Sequence, residues 1–177
     1  MTTKNFNIIS TESKIDWVGR KVTGAHNGTI GITGGTLTFD NEKLTGGKFT
    51  IDTASIKILD ITDPGTNAQF FGHLASDDFF SIEKFPAAIL EITSVTPKSN
   101  TQYDIDGNLT IKGITHPITF SAEIKSGTDT LTAAAKLVID RTKYEMKFRS
   151  GNFFKDLGDT LIYNDFDLDV LITAKAA

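Results

Sequence analysis

Residues 102–112, QYDIDGNLTIK, alternate strictly: Tyr103, Ile105, Gly107, Leu109 and Ile111 fall on one side, and Gln102, Asp104, Asp106, Asn108, Thr110 and Lys112 on the other. Successive side chains of an extended strand point to opposite faces, so a period of two means one face in a core and one in water. No other feature restricts the fold as much, because the pattern recurs along the chain. Ile118, Phe120, Ala122 and Ile124 repeat it, as do Leu131, Ala133, Ala135, Leu137 and Ile139. Phe166, Leu168, Val170 and Ile172 face away from Asp165, Asp167 and Asp169, and shorter versions occur at Ile15 and Trp17, Ile30 and Ile32, Phe49 and Ile51, and Ala88, Leu90 and Ile92. The turn signals GITGG, DNEKLTGG, TPKSN, KGITHP and KSGTD separate these runs at hairpin spacing rather than at the spacing of helical crossovers. The chain therefore reads as all-β, with about eight antiparallel strands. A helix fits only around Asn67 to Ser76, where Pro64 and Gly65 can open it and DDFF can close it.

Eight antiparallel strands can make a sandwich or a barrel. The inward row from Leu131 to Ile139 holds two alanines and Gly107 interrupts another, whereas a solid core favours bulk. A barrel of eight strands has an interior that side chains fill or that holds one small ligand. The expectation is an eight-stranded antiparallel barrel with one short helical insertion flanking its cavity. No repeat, low-complexity tract or linker divides the chain, which reads as one domain over residues 1–177.

The formal charge of −4 and the scattered lysines supply no positive field for phosphate backbones or anionic head groups, which argues against nucleic acid and membrane-surface binding, and no segment approaches the roughly 20 apolar residues of a membrane span, so no stable membrane insertion is expected. The absence of cysteine excludes disulfides and thiolate metal sites. The opening MTTKNFNIISTESKIDWVG lacks a basic segment followed by an apolar run. The expected location is cytoplasmic, or periplasmic if the numbering starts at a mature N-terminus. A homodimer is left open.

His26, His73 and His116 are the only histidines, and none lies four residues or fewer from another, the spacing that builds metal sites. No metal and no cofactor are expected. His116, in KGITHP, reads as an exposed turn residue, and His26 as the end of a strand. Asp77 and Asp78 beside His73 admit an acid/base pair, but Asp after a short helix commonly shapes a turn, and no G-x-S-x-G nucleophile motif occurs. TGGKFT fails as a phosphate loop because Phe49 follows Lys48. Among thirteen phenylalanines, Phe79-Phe80 beside a short helix and the Phe85-Pro86 step read as an apolar wall against a barrel mouth.

These motifs together resemble the YceI-like family of polyisoprenoid-binding, lipocalin-like barrels, from about Ser13 to Ala174. SKIDWVGRKVTGAHNGTI resembles the family's opening strand pair through Trp17, Gly19, Lys21, His26 and Gly28. GGKFTIDTASI carries Phe49, Ile51 and Asp52, and HLASDDFFSIEKFPAA matches through His73, Leu74, Ser76, Asp78, Phe79, Phe80, Phe85 and Pro86. YDIDGNLTIKGITHPI and the Asp140-Arg141 element complete the likeness. The resemblance implies a barrel that binds, and carries or stores, an isoprenoid or quinone-like lipid, with no catalysis established. Two departures remove charge near the expected mouth: Phe71-Gly72 stands where an acidic residue is frequent, and Ala75 where a basic one is. They imply a more apolar or smaller head group than an isoprenyl diphosphate.

On this reading one apolar chain contacts Ile15, Trp17, Ile32, Phe49, Ile51, Leu90, Ile92, Tyr103, Ile105, Phe120, Leu137 and the Phe79-Phe80 pair. His73, Lys21 and Arg141 are the candidates for a polar group at the rim. Apolar area alone would suffice for tight retention, at about 0.8 kcal/mol per buried CH₂. Two rivals stand beside the carrier: a hydrolase or isomerase that uses His73 and Asp77 on a hydrophobic substrate, and a structural or adaptor barrel whose interior is filled.

Overall fold

The alternating runs form strands, and the computed structural model, which describes residues 3–155, 157–158 and 161–177, joins them edge to edge without a free end. The segments are β1 (Thr3–Ile8), β2 (Lys14–Lys21), β3 (Gly24–Asp40), β4 (Lys43–Ile58), β5 (Ala87–Pro97), β6 (Gln102–Ile111), β7 (Ile114–Ser126), β8 (Thr130–Asp140) and β9 (Ile162–Ala176), with helix α1 (Pro64–Ala75) between β4 and β5. Every pairing is antiparallel. β1 and β2 share one place in the barrel: both pair with β3 on one side and β9 on the other, and a 3-10 turn at Ser10–Glu12 interrupts them. Nine segments thus fill eight strand positions, and the β3–β4 ladder closes the circle. Closure removes the exposed edges that an open sheet would present.

β6 shows why the pattern determines the fold. Tyr103, Ile105, Gly107, Leu109 and Ile111 are all buried, while Gln102, Asp106 and Asn108 are exposed. At its end Lys112 and Gly113 adopt φ of 55° and 73°, the left-handed pair that a two-residue hairpin requires.

Two turn expectations are corrected. GITGG lies inside β3, which runs unbroken for 17 residues; its ladder with β4 shifts register between Thr29 and Gly31 and between Ile32 and Gly34. The glycines there accommodate bulges that curve the strand rather than reversals of the chain. In KGITHP only Lys112-Gly113 turn, so His116 belongs to β7 opposite Leu109. It is half-buried, with its ring edge-on to Tyr144 at 5.4 Å.

The helix begins where the sequence places its opening. Asp63 is the N-cap, its Oδ2 accepting the Thr66 N–H at 2.8 Å, and Pro64 sits in the first turn, where a missing N–H costs nothing. At the other end the chain folds back, with Phe80 N–H donating to the Leu74 carbonyl and Ser81 N–H to that of Ser76. The helix is tied to the barrel by Asn67 Nδ2, which donates to the Ile58 and Ile61 carbonyls at 3.0 Å each. The β2–β3 and β6–β7 hairpins, the α1 connection and the long β8–β9 connection all lie at one end of the barrel. The β3–β4, β5–β6 and β7–β8 hairpins lie at the other.

Candidate functional site

Under the α1 end the inward rows do not meet. They leave a cavity of about 290 Å³ whose wall includes Ile15, Trp17, Ile30, Ile51, Leu109, Ile111 and Leu168 from the strands and Phe70, His73, Leu74, Phe79 and Phe80 from α1 and the segment after it. A second void of about 70 Å³ lies between Ile32, Phe49, Leu90, Ile92, Ile105, Phe120, Ala133, Ala135 and Leu137. Ile15, Ile51, Leu109 and Leu168 line both. These four side chains make a waist between an upper and a lower chamber.

The residues expected to contact a ligand thus separate into two groups. Trp17, His73, Phe79, Phe80 and Arg141 border the upper chamber; Ile32, Phe49, Leu90, Ile92, Ile105, Phe120 and Leu137 border the lower one; Ile15 and Ile51 belong to the waist. Tyr103 borders neither. It is buried near the opposite end, beside a surface hollow shared with Phe6, Phe39 and Lys98. Ala133 and Ala135 do leave space, whereas Gly107 borders neither chamber. A Cβ on Gly107 would stand 2.8 Å from the Glu91 carbonyl oxygen, so its smallness admits the neighbouring strand rather than a guest.

Trp17 is held across the wall by its indole N–H, which donates to the Thr29 carbonyl at 3.3 Å. The lid is aromatic. His73 packs edge-on to Phe79 at 5.0 Å and to Phe148 at 4.5 Å, so α1, the turn after it and the β8–β9 connection close over the chamber together. At the near end of α1, Phe70 lies 4.7 Å from the His26 ring, whose Nδ1 is 2.7 Å from Asp60 Oδ2. Burial pushes the Asp60 carboxyl up, but the Asn27 N–H and His26 outweigh it and hold the carboxyl below its ordinary 3.8. His26 is therefore a tie between the β3 strand, the segment that follows β4 and the helix.

Of the two carboxylates that the sequence sets beside His73, only Asp78 reaches it. His73 Nε2 is 3.2 Å from Asp78, not Asp77. Asp77 instead accepts the Ser81 hydroxyl at 2.6 Å and meets Lys84 at 3.4 Å, partners that lower its carboxyl pKa. Among the described residues no group of three or more His, Cys, Asp or Glu side chains could hold a metal ion, and no helix is long and apolar enough to cross a membrane.

The cavity is not uncharged at its upper margin. Arg20, Lys21, Arg141 and Arg149 border it, with Asp165 as the one carboxylate. Arg20 is paired with Asp167 at 2.7 Å. Arg141 is only 4% exposed; its Nε donates to the Tyr163 carbonyl at 3.0 Å, Nη2 to that of Ile162 at 3.0 Å, and Nη1 to that of Met146. Desolvation lowers its pKa, opposed by Asp140, and its guanidinium lies 5.8 Å over the Phe79 ring. Positive charge at the margin thus comes from β2, the start of the β8–β9 connection and the loop beyond it. Met146, Phe148 and Ile162 join this wall, yet no alternation marks the loop residues, so a reading of periodicity passes over them.

Proteins similar to this chain have the same barrel. BcnA of Burkholderia cenocepacia superposes with a TM-score of 0.74 at 23% identity, covering 95% of this chain and 99% of that one. A polyisoprenoid-binding domain from Saccharophagus degradans, implicated in plant cell wall breakdown, superposes at 0.69 and 13% identity, covering 97% and 98%. Protein YceI of Salmonella arizonae is 32% identical over 133 residues, 74% of this chain. The aligned part spans 65% of the length of that relative. The sequence profile of the YceI-like domain matches residues 6–174, nearly the whole barrel from β1 to the last turn of β9, and this chain therefore belongs to the YceI-like domain family.

Proposed function

We propose that the barrel binds, and carries or stores, an extended apolar chain of isoprenoid type, such as a polyisoprenoid or a quinone tail. The observation that carries this reading is the upper chamber, walled by aliphatic and aromatic side chains beneath α1 and the segment after it. Water inside such a wall finds few hydrogen-bond partners, whereas an apolar guest loses nothing by entering. The domain from Saccharophagus degradans described as polyisoprenoid-binding supports the same class of cargo by likeness of fold. No catalytic step is assigned: of the two histidine–carboxylate pairs beside α1 among the described residues, His26–Asp60 ties elements together and His73–Asp78 has a carboxylate that is 56% exposed.

Size limits the guest. A void of about 150 Å³ holds benzene, or about 25 Å³ per carbon, so 290 Å³ takes about a dozen carbons, two isoprene units with little to spare. A longer chain must part the waist to reach the lower chamber or leave its remainder outside the mouth. A dozen carbons yield about 10 kcal/mol of gross apolar gain, and association costs at least about 4. The remaining 6 kcal/mol or so corresponds to a Kd of tens of micromolar. Apolar area alone does not give tight retention in a chamber this small, contrary to the expectation from the sequence, and a polar anchor has work to do.

The test is native expression, gentle purification, organic extraction and mass spectrometry. One dominant amphiphile in near-stoichiometric amount is the expected result. An empty extract, together with no binding of the ten-carbon isoprenoid alcohol citronellol by calorimetry, would refute the reading.

A further inference from the structure

A guanidinium cannot shed its proton under ordinary conditions, so Arg141 carries a full positive charge into the wall of an apolar chamber. Its three carbonyl partners belong to Met146, Ile162 and Tyr163 and tie the β8–β9 connection to the start of β9. They satisfy three of five N–H groups and none of the charge. Among the described residues no carboxylate lies within ion-pair distance of it. The nearest acidic influence is Asp140, whose Oδ1 is committed to the Thr142 N–H and hydroxyl at 3.0 and 2.6 Å. A buried charge without a counter-ion is among the most expensive groups a fold can hold. Backbone carbonyls could have been served by a neutral donor.

The other cations point to the same deficit. Lys21 continues the inward row of Ile15, Trp17 and Gly19 at the mouth and borders the chamber; it forms no ion pair among the described residues. Arg149 borders the chamber too and rests 5.0 Å over the Phe148 ring. Arg20 has its own carboxylate in Asp167. Asp165 is the one acidic residue at the margin, and it alternates outward on β9, exposed, where it also faces an outer hollow with Val138 and Asp140. A positive margin thus surrounds an apolar hole, in a chain whose net charge is −4.

We propose that Arg141 binds the carboxylate of an amphiphilic monoacid whose hydrocarbon chain, of about ten to twelve carbons, occupies the upper chamber. The two N–H groups left over, one on Nη1 and one on Nη2, match in number the two oxygens of a carboxylate. A single buried charge matches a monoanion; a diphosphate would bring more negative charge than the one buried guanidinium offsets and a head too large for a chamber of about 290 Å³. Lys21 and Arg149 at the margin steer the acid inward. This assignment rests on the reading of the barrel as a host for apolar chains and adds the head group that the chain must carry.

Three probes share one ten-carbon isoprenoid skeleton: citronellic acid, citronellol and geranyl diphosphate. Titrated into delipidated wild-type protein at pH 7.5 by calorimetry, the acid binds about ten- to a hundredfold more tightly than the alcohol, the range expected of a charge-assisted hydrogen-bonded pair in a dry site. R141M collapses that preference to within about threefold, read as the ratio of the two affinities in the same variant, while K21M reduces the preference only in part. If R141M does not fold, the wild-type ratio still decides. Equal affinity for acid and alcohol overturns the monoacid proposal and leaves the apolar-chain reading intact, whereas binding of neither probe removes both. Tighter binding of the diphosphate than of the acid, or a folded R141M that keeps the preference, also overturns the proposal.

Discussion

Leu109→Ala removes one of the four side chains of the waist, and the structure specifies both its cost and its effect on cargo. Leu109 is 4% exposed on β6 and borders both chambers. The substitution deletes three carbons, worth about 2.4 kcal/mol of transfer free energy at 0.8 each. The neighbours are strands fixed by ladders on both sides, and voids already exist above and below, so little collapse can refill the space. The cavity term then adds about 1–2 kcal/mol, for a total of about 3.5–4.5 kcal/mol, in the upper part of the Leu→Ala range. With a urea slope of about 2 kcal/mol/M, the midpoint of delipidated protein falls by about 2 M. The same deletion joins the 70 Å³ lower void to the upper chamber, room for about three further carbons. A calorimetric series of straight-chain alcohols should therefore show its affinity maximum move from about twelve carbons to about fifteen or more. A loss under 1 kcal/mol with an unmoved maximum would show that the waist is not the partition drawn above.

Gly28→Ala places a Cβ 1.7 Å from the Lys57 carbonyl oxygen and 2.7 Å from Trp17 Cζ2. The β3–β4 ladder must separate or the indole must leave the wall, so a loss of about 3 kcal/mol or more and a red-shifted tryptophan emission are expected from a backbone obstacle that cannot move aside; an unchanged spectrum and midpoint would contradict the packing. Asp60→Asn tests the tie between His26 and the helix. The Asp60 carboxyl lies below its ordinary 3.8 in the folded protein, so its contribution is present above that value and is lost as pH falls through the lower folded value. The gap in urea midpoint between wild type and D60N should be present at pH 5 and shrink as pH falls below the ordinary 3.8; a gap that persists undiminished into acid would place the effect in packing rather than charge.

The period-two pattern of Tyr103 to Ile111, Leu131 to Ile139 and Phe166 to Ile172 determined strands, their faces and the hairpin succession, because alternation is a local property that any register must respect. Pro64 and Gly65 likewise marked where the helix opens, and the Asp63 cap that the structure adds involves only four consecutive residues. Which runs share one stave was not legible: β1 and β2 occupy a single position because both also pair with β9, about 140 to 170 residues away. Nor could the glycines of GITGG be told from turn residues, since a bulge and a turn make the same local demand on the backbone. For the site, the inward rows named the apolar walls correctly by face but not by depth, and Tyr103 shows the difference: it has the right parity at the wrong end of the barrel. Met146, Phe148 and Arg149 come from an irregular loop without periodicity, and only closure of the barrel brings them over Trp17 and Phe79. The isolated buried charge of Arg141 is likewise a tertiary fact, because a sequence counts charges but does not say which of them have been left without a partner when water is removed.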